Sequence, residues 1–326
     1  MDKKLERQGL RREFSPLGWS LVLYYVILNI TVLGVVLAEL FAVHGELVLQ
    51  FLYEAVSEDE LLNRVSEIAA GNGWGYFLGA LVGFFLLWMW KGKKFLFRDI
   101  WKGNRYMRFS DLISLICVFL SGQLLFQMVA VILETILNLF GFSAMVSLEA
   151  ASVQVETVSM FLYLALLAPI GEEILFRGIL LRSMLPYGKR FAILASAFLF
   201  GIFHGNLIQS PFAFAVGLVL GYTAVEYSIG WAMVLHMFNN LIIADSMTRI
   251  TSGLPQMVAD SISGSVILIL SLIGVIFVII RRRQLVAYFR ENRMNRRCVG
   301  AFFSSPGVIV LILLMLVSMV MMIQPL

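Results

Sequence analysis

Residues 157–181 read TVSMFLYLALLAPIGEEILFRGILL. Only Glu172, Glu173 and Arg177 in this stretch carry charge. Its length is what a helix needs to cross about 30 Å of hydrocarbon, roughly 20 residues at 1.5 Å each. Asp, Lys or Arg inside a span costs roughly 2.5–3.5 kcal/mol at the helix centre. A segment that is long and apolar enough to cross, yet keeps three charges, points to a membrane helix with a reason to hold them.

The rest of the chain has the same character. Of its 326 residues 60% are hydrophobic and 14% charged, with a mean hydropathy of +0.88. Soluble domains average about 25% charged residues. One water-soluble core could not hide so much apolar surface, so lipid is the solvent for much of it. Nine apolar segments can be drawn, at 17–43, 74–90, 111–140, 157–181, 190–207, 211–227, 229–247, 263–280 and 305–323. The expectation is an all-α, polytopic transmembrane bundle of about nine spans. The first apolar run follows a basic N-terminus with no small-residue cleavage site close behind it, and reads as a retained span.

Lys and Arg set the orientation, since they stay in the cytoplasm. With the N-terminus inside, the regions 1–16, 91–108, the end of the fourth helix through Arg190, and 281–297 are cytoplasmic. Every Lys and Arg except Arg64 and Arg249 falls there. An eight-span arrangement would strand one basic cluster outside. The acidic segment 44–72 reads as an external loop, partly helical, with Leu61, Leu62, Val65 and Ile68 at helical spacing. Three regions follow: an N-terminal transmembrane region 1–156, core helices 157–247, and C-terminal helices 248–326. The net charge of +4 marks one membrane side and is no nucleic-acid signal. Cys117 and Cys298 look unpaired and lack zinc-ligand spacing.

Three short motifs hold the polar residues of the core. The first is Glu172-Glu173 with Arg177. Glu173 and Arg177 are four apart, share a helix face and can pair, while Glu172 points about 100° away. The second is Phe200 with His204. The third is His236 with Asn240, again four apart on one face. Each has a plain structural reading: an ion pair along a helix, a hydrogen-bonded core histidine, an amide bridging helices. Asn239 also lies near the His236 face. Gln123, Gln127 and Glu134 form a stripe on the third span that reads as interhelical glue.

Together the motifs are a set of parts for hydrolysis. A carboxylate can take a proton from water. One imidazole can orient that water. A second imidazole and an amide N–H can donate to the oxyanion of a tetrahedral intermediate. Depth is the difficulty. Glu172 lies roughly 22 Å from the outer end of its helix, His204 roughly 21 Å from the inner end of its own, and His236 roughly 10 Å from the inner end of the seventh. Straight, perpendicular helices would not bring these to one level. Tilts, or a break near Gly201 and Gly205, are required.

In these three motifs the chain resembles the CAAX protease and bacteriocin-processing family, also called the Abi family, of intramembrane glutamic endopeptidases. The family patterns Glu-Glu-x-x-x-Arg, Phe-x-x-x-His and His-x-x-x-Asn/Asp occur in order as Glu172-Glu173…Arg177, Phe200…His204 and His236…Asn240. The resemblance covers roughly 157–247. It implies that Glu172 and His204 activate water, that His236 and Asn240 stabilise the oxyanion, and that Glu173 and Arg177 are a supporting ion pair. It further implies a multi-pass cell-membrane hydrolase that needs no metal or other cofactor. Its partners would be membrane lipid and a peptide or membrane-protein substrate, with no nucleic acid. Some relatives are linked to bacteriocin immunity or act as scaffolds without proteolysis, so a protein that regulates a partner in the envelope stays open. A two-His, one-carboxylate metalloprotease built on Glu172, His204 and His236 is a further alternative, although His-Glu-x-x-His is missing. A transporter is another, without an inverted repeat to support it.

Overall fold

The computed structural model describes residues 3–53, 55–145, 157–241, 253–292 and 294–326. These form helices α1 (Lys3–Val43), α2 (Gly45–Leu52), α3 (Glu58–Gly71), α4 (Gly73–Lys91), α5 (Phe109–Leu139), α6 (Val158–Tyr187), α7 (Lys189–Phe203), α8 (Gln209–Glu226), α9 (Ile229–Asn239), α10 (Gln256–Glu291), α11 (Arg296–Phe303) and α12 (Pro306–Met321). The expected all-α bundle is what the chain forms. Among the described residues, one short β element pairs Phe142–Ser143 antiparallel with Gln324–Pro325.

Five helices, α1, α4, α5, α6 and α10, are long and apolar enough to cross a membrane. The pair α11–α12, bent by 62°, makes a sixth if it counts as one span. The shorter α7, α8 and α9 lie at the centre, and the expected seventh segment runs past the described residues at 242–247. The most apolar window of α10 is only 11% buried. A soluble protein could not leave such a face open, whereas in a bilayer lipid covers it.

The ends of the bundle are stitched by contacts that sort the chain into two levels. At one end Arg297 pairs with Glu6 at 2.6 Å, and Lys91 donates to Ser183 at 3.1 Å. Arg105 and Lys189 both bind the buried carboxylate of Glu226, at 2.8 and 2.9 Å. Tyr288 donates to the same carboxylate. All four basic regions therefore meet. At the other end Thr157 donates to the Gly71 carbonyl, Asn72 bonds Glu39, and the Leu326 amide donates to Gly141. In the acidic segment, Leu61, Val65 and Ile68 pack on Val36 and Leu40 of α1. Leu62, at the same helical spacing, is exposed instead.

Close packing of α1 on α12 depends on two glycines. A Cβ at Gly18 would sit 2.2 Å from the Gly307 carbonyl carbon, and one at Gly307 would sit 2.2 Å from the Ser15 carbonyl oxygen. Small residues of this kind let membrane helices touch backbone to backbone. Behind that crossing lies the main core, where Phe14, Phe191 and Phe302 meet ring to ring.

Candidate active site

The segment quoted at the outset folds as one helix of uneven pitch. Within α6, Tyr163–Leu167 and Glu173–Leu181 are π-helical, with α-helical turns between them. A π-turn closes i→i+5 and packs more residues into each turn, so it widens and shortens the helix, and such turns gather at functional sites. α7 ends at Phe203, with His204 as its cap and Gly205 at φ +59° just beyond. The break expected near Gly205 is therefore present. The π-turns of α6 also shorten that helix, in the direction the expected mismatch of depth requires.

Glu173 and Arg177 pair at 2.8 Å, as their spacing predicts, with both side chains fully buried. The same oxygen, Glu173 Oε1, lies 3.0 Å from Nδ1 of His236 on α9. The other ring nitrogen of His236, Nε2, lies 3.7 Å from Glu172 Oε2. One imidazole thus has a carboxylate at each nitrogen. Glu173 is ionised in its pair with Arg177 and can only accept, so Nδ1 carries the hydrogen of that bond. Glu172 is different in kind. Its side chain is 29% exposed and takes no hydrogen bond from any described residue.

His204 is fixed from within its own helix. Nδ1 donates to the Phe200 carbonyl at 2.9 Å, which in the neutral ring leaves Nε2 as a lone pair. Phe200 joins the parts. Its ring stands perpendicular to His204 at 4.9 Å and to His236 at 5.7 Å. The Arg177 guanidinium lies 4.2 Å from its centroid. Sequence reasoning counted Phe200 as part of a motif and gave it no task, and a phenylalanine four residues before a histidine carries no signal of contacts to other helices.

Asn240 sits one turn beyond His236, but its side chain turns to the helix of Glu172. Nδ2 donates to the Leu164 carbonyl at 2.8 Å, within the first π-turn, and Oδ1 accepts from Asn239. Asn239 in turn accepts from Gln123 on α5. This resolves two points of the sequence: Asn239 and Gln123 are links between helices, and Gln123 is the glue its stripe predicted. Glu134 instead caps the β turn through Ser143 and Ala144. Cys117 and Cys298 are both free thiols. Among the described residues, no three His, Cys, Asp or Glu side chains converge closely enough to hold a metal ion.

The helical bundle thus gathers a partly exposed carboxylate, two fixed imidazoles and a buried ion pair, the side-chain types an intramembrane hydrolase would need. Comparison with protein families is consistent with that class. Residues 154–242 match the family described as type II CAAX prenyl endopeptidase Rce1-like. The match falls on the core helices and agrees with the resemblance carried by the three motifs. No curated protein and no solved structure matches the chain.

Proposed function

We propose that this protein is a multi-pass intramembrane endopeptidase of the glutamic type, hydrolysing a peptide bond of a membrane-associated or lipidated peptide or protein in the cell membrane without a metal. The observation that carries the reading is the imidazole of His236 between Glu172 and Glu173. Two carboxylates and one guanidinium leave one negative charge uncompensated, and uncompensated charge is expensive in a low-dielectric core. The group of four is neutral when one further proton is held, on either Glu172 or His236 Nε2, which lie 3.7 Å apart. With that proton on Nε2, Glu172 is the free base.

In this reading the steps run as follows for the bound peptide. Water lies between Glu172 and the Nε2 lone pair of His204, and gives its proton to Glu172 as its oxygen bonds to the peptide carbonyl carbon. The carbonyl oxygen becomes an oxyanion, which accepts from His236 Nε2–H and from the second amide hydrogen of Asn240. When the C–N bond breaks, Glu172 passes its proton to the leaving amine. Glu173 and Arg177 hold His236 in place throughout.

The reading includes nine passes with the N-terminus in the cytoplasm, supported by the gathering of the basic regions at one end of the bundle. The basic regions that meet around Glu6, Ser183 and Glu226 form the inner end under the positive-inside rule. A cysteine at Ser57 labels from outside intact cells, and one at Arg98 labels only after permeabilisation. The reverse pattern overturns this orientation. For the chemistry, the membrane peptides of a Glu172→Ala strain accumulate an uncut species that wild type and complemented cells lack. Cleavage that persists in the variant removes Glu172 from its role.

A further inference from the structure

Tyr24 lies outside the matched core, in the first half of α1, yet it reaches the neighbourhood of Glu172. Its ring is lodged between Phe84 of α4 and Phe203 at the end of α7, with centroids 6.4 and 6.3 Å away. Two glycines make that seat. A Cβ on Gly83 would lie 2.6 Å from two carbons of the Tyr24 ring, closer than real contacts allow. A Cβ on Gly171, the residue before Glu172, would lie 3.9 Å from the Tyr24 hydroxyl. The phenol is thus fixed over the backbone that carries the proposed base.

The residue as a whole is 8% exposed. Its hydroxyl donates to no described residue, and it is not among the buried polar atoms sealed off without a partner. A phenol in an apolar setting ordinarily finds a hydrogen-bond partner. Here a rigid donor is held over Gly171, the neighbour of the partly exposed Glu172, with its hydrogen unassigned. The amide of Asn240, by contrast, already has one hydrogen on Leu164. Tyr163 of α6 is stacked on Tyr76 at 5.0 Å, but no glycine seat fixes its hydroxyl in the same way.

We infer that Tyr24 supplies a further hydrogen-bond donor to the reacting centre at Glu172, so that α1 completes a site otherwise built by the core helices. The inference rests on the proposed peptidase reading. The phenol has two targets within that reading, the attacking water and the oxyanion, and both call for an O–H that acts in the transition state.

The experiment uses the full-length protein in liposomes and an internally quenched peptide ending in a farnesylated cysteine and three further residues. Tyr24→Phe keeps the ring and its packing. It lowers kcat about 100-fold, the scale of a lost oxyanion donor, with KM unchanged. Tyr25→Phe, one position along the same helix, stays at wild-type kcat. A Tyr24→Phe enzyme with wild-type kcat, or one that loses only KM, overturns the inference. Retained turnover in Glu172→Gln overturns the peptidase reading instead, which keeps the two failures apart. A readout without substrate stands beside these. With 3-fluorotyrosine at position 24, the fluorine resonance shifts on Glu172→Gln. A resonance that does not move overturns the contact whatever the peptide shows.

Discussion

His236 Nδ1 and Glu173 Oε1 are 3.0 Å apart, and that one oxygen also receives Arg177 at 2.8 Å. The ion pair and the imidazole are therefore a single unit. Breaking a buried pair by removing one partner costs about 3–5 kcal/mol, whereas replacing both with apolar groups can be neutral. Arg177→Met accordingly lowers the thermal unfolding temperature in detergent, and Glu173→Met combined with Arg177→Met recovers most of the loss. Activity does not recover with it, because the double variant has no partner left for Nδ1. Recovery of both together would show that His236 does not depend on Glu173.

The spacing of Glu173 and Arg177 was enough to pair them, because i and i+4 share a helix face whatever the surroundings. The tie between Glu173 and His236 was not legible. It joins residues 63 positions apart, and it relies on the π-turns of α6, which no local pattern in the sequence announces. Composition identified the membrane bundle for a similar reason: apolar content is a property of the chain alone, while helix ends depend on neighbours. Thus α10 runs over Gln256–Glu291, far beyond the apolar 263–280, because its arginine-bearing turns remain helical past the hydrocarbon. The Leu164 partner of Asn240 was not legible either: in the π-turn the Ala168 N–H goes to Tyr163, and the next residue, Pro169, has no N–H to offer the Leu164 carbonyl.

Phe200 touches both imidazoles and the guanidinium. A desolvated cation–π contact is worth about 2 kcal/mol, and a leucine cannot make one. Phe200→Leu therefore costs stability and also frees both rings to turn. Steady-state kinetics on the quenched peptide show a fall in kcat of at least about tenfold, as expected when catalytic groups lose their alignment. A variant that unfolds earlier yet keeps its kcat would reduce Phe200 to packing.

The crossing of α1 and α12 tolerates no side chain at Gly18, where a Cβ would meet the Gly307 backbone at 2.2 Å. Overpacking of a tight contact typically costs 1–3 kcal/mol. Gly18→Val lowers the unfolding temperature, and Gly18→Ala does so less. Since α1 also carries Tyr24, the valine variant reduces turnover although Gly18 is remote from Glu172. An unchanged unfolding temperature would mean that the two helices separate without penalty.

Glu226 is the hinge pin of the basic end of the bundle. Its side chain is 4% exposed, while its partners Arg105 and Lys189 are 54% and 40% exposed. The burden of the network therefore falls on the carboxylate: the cations can return to water, and Glu226 cannot. The loop that carries Arg105 is further held by the Asn104 amide on the Val225 carbonyl at 2.9 Å and by the Arg105 amide on the Glu226 carbonyl at 3.0 Å. Glu226→Gln keeps these backbone ties and removes the charge that draws in both cations. Because exposed ion pairs are worth only about 0–1 kcal/mol each, the unfolding temperature falls modestly. The local effect is larger. Trypsin added to inside-out vesicles cuts at Lys102 or Arg105 sooner in the variant than in wild type. Equal cutting rates would show that the backbone bonds alone hold the loop.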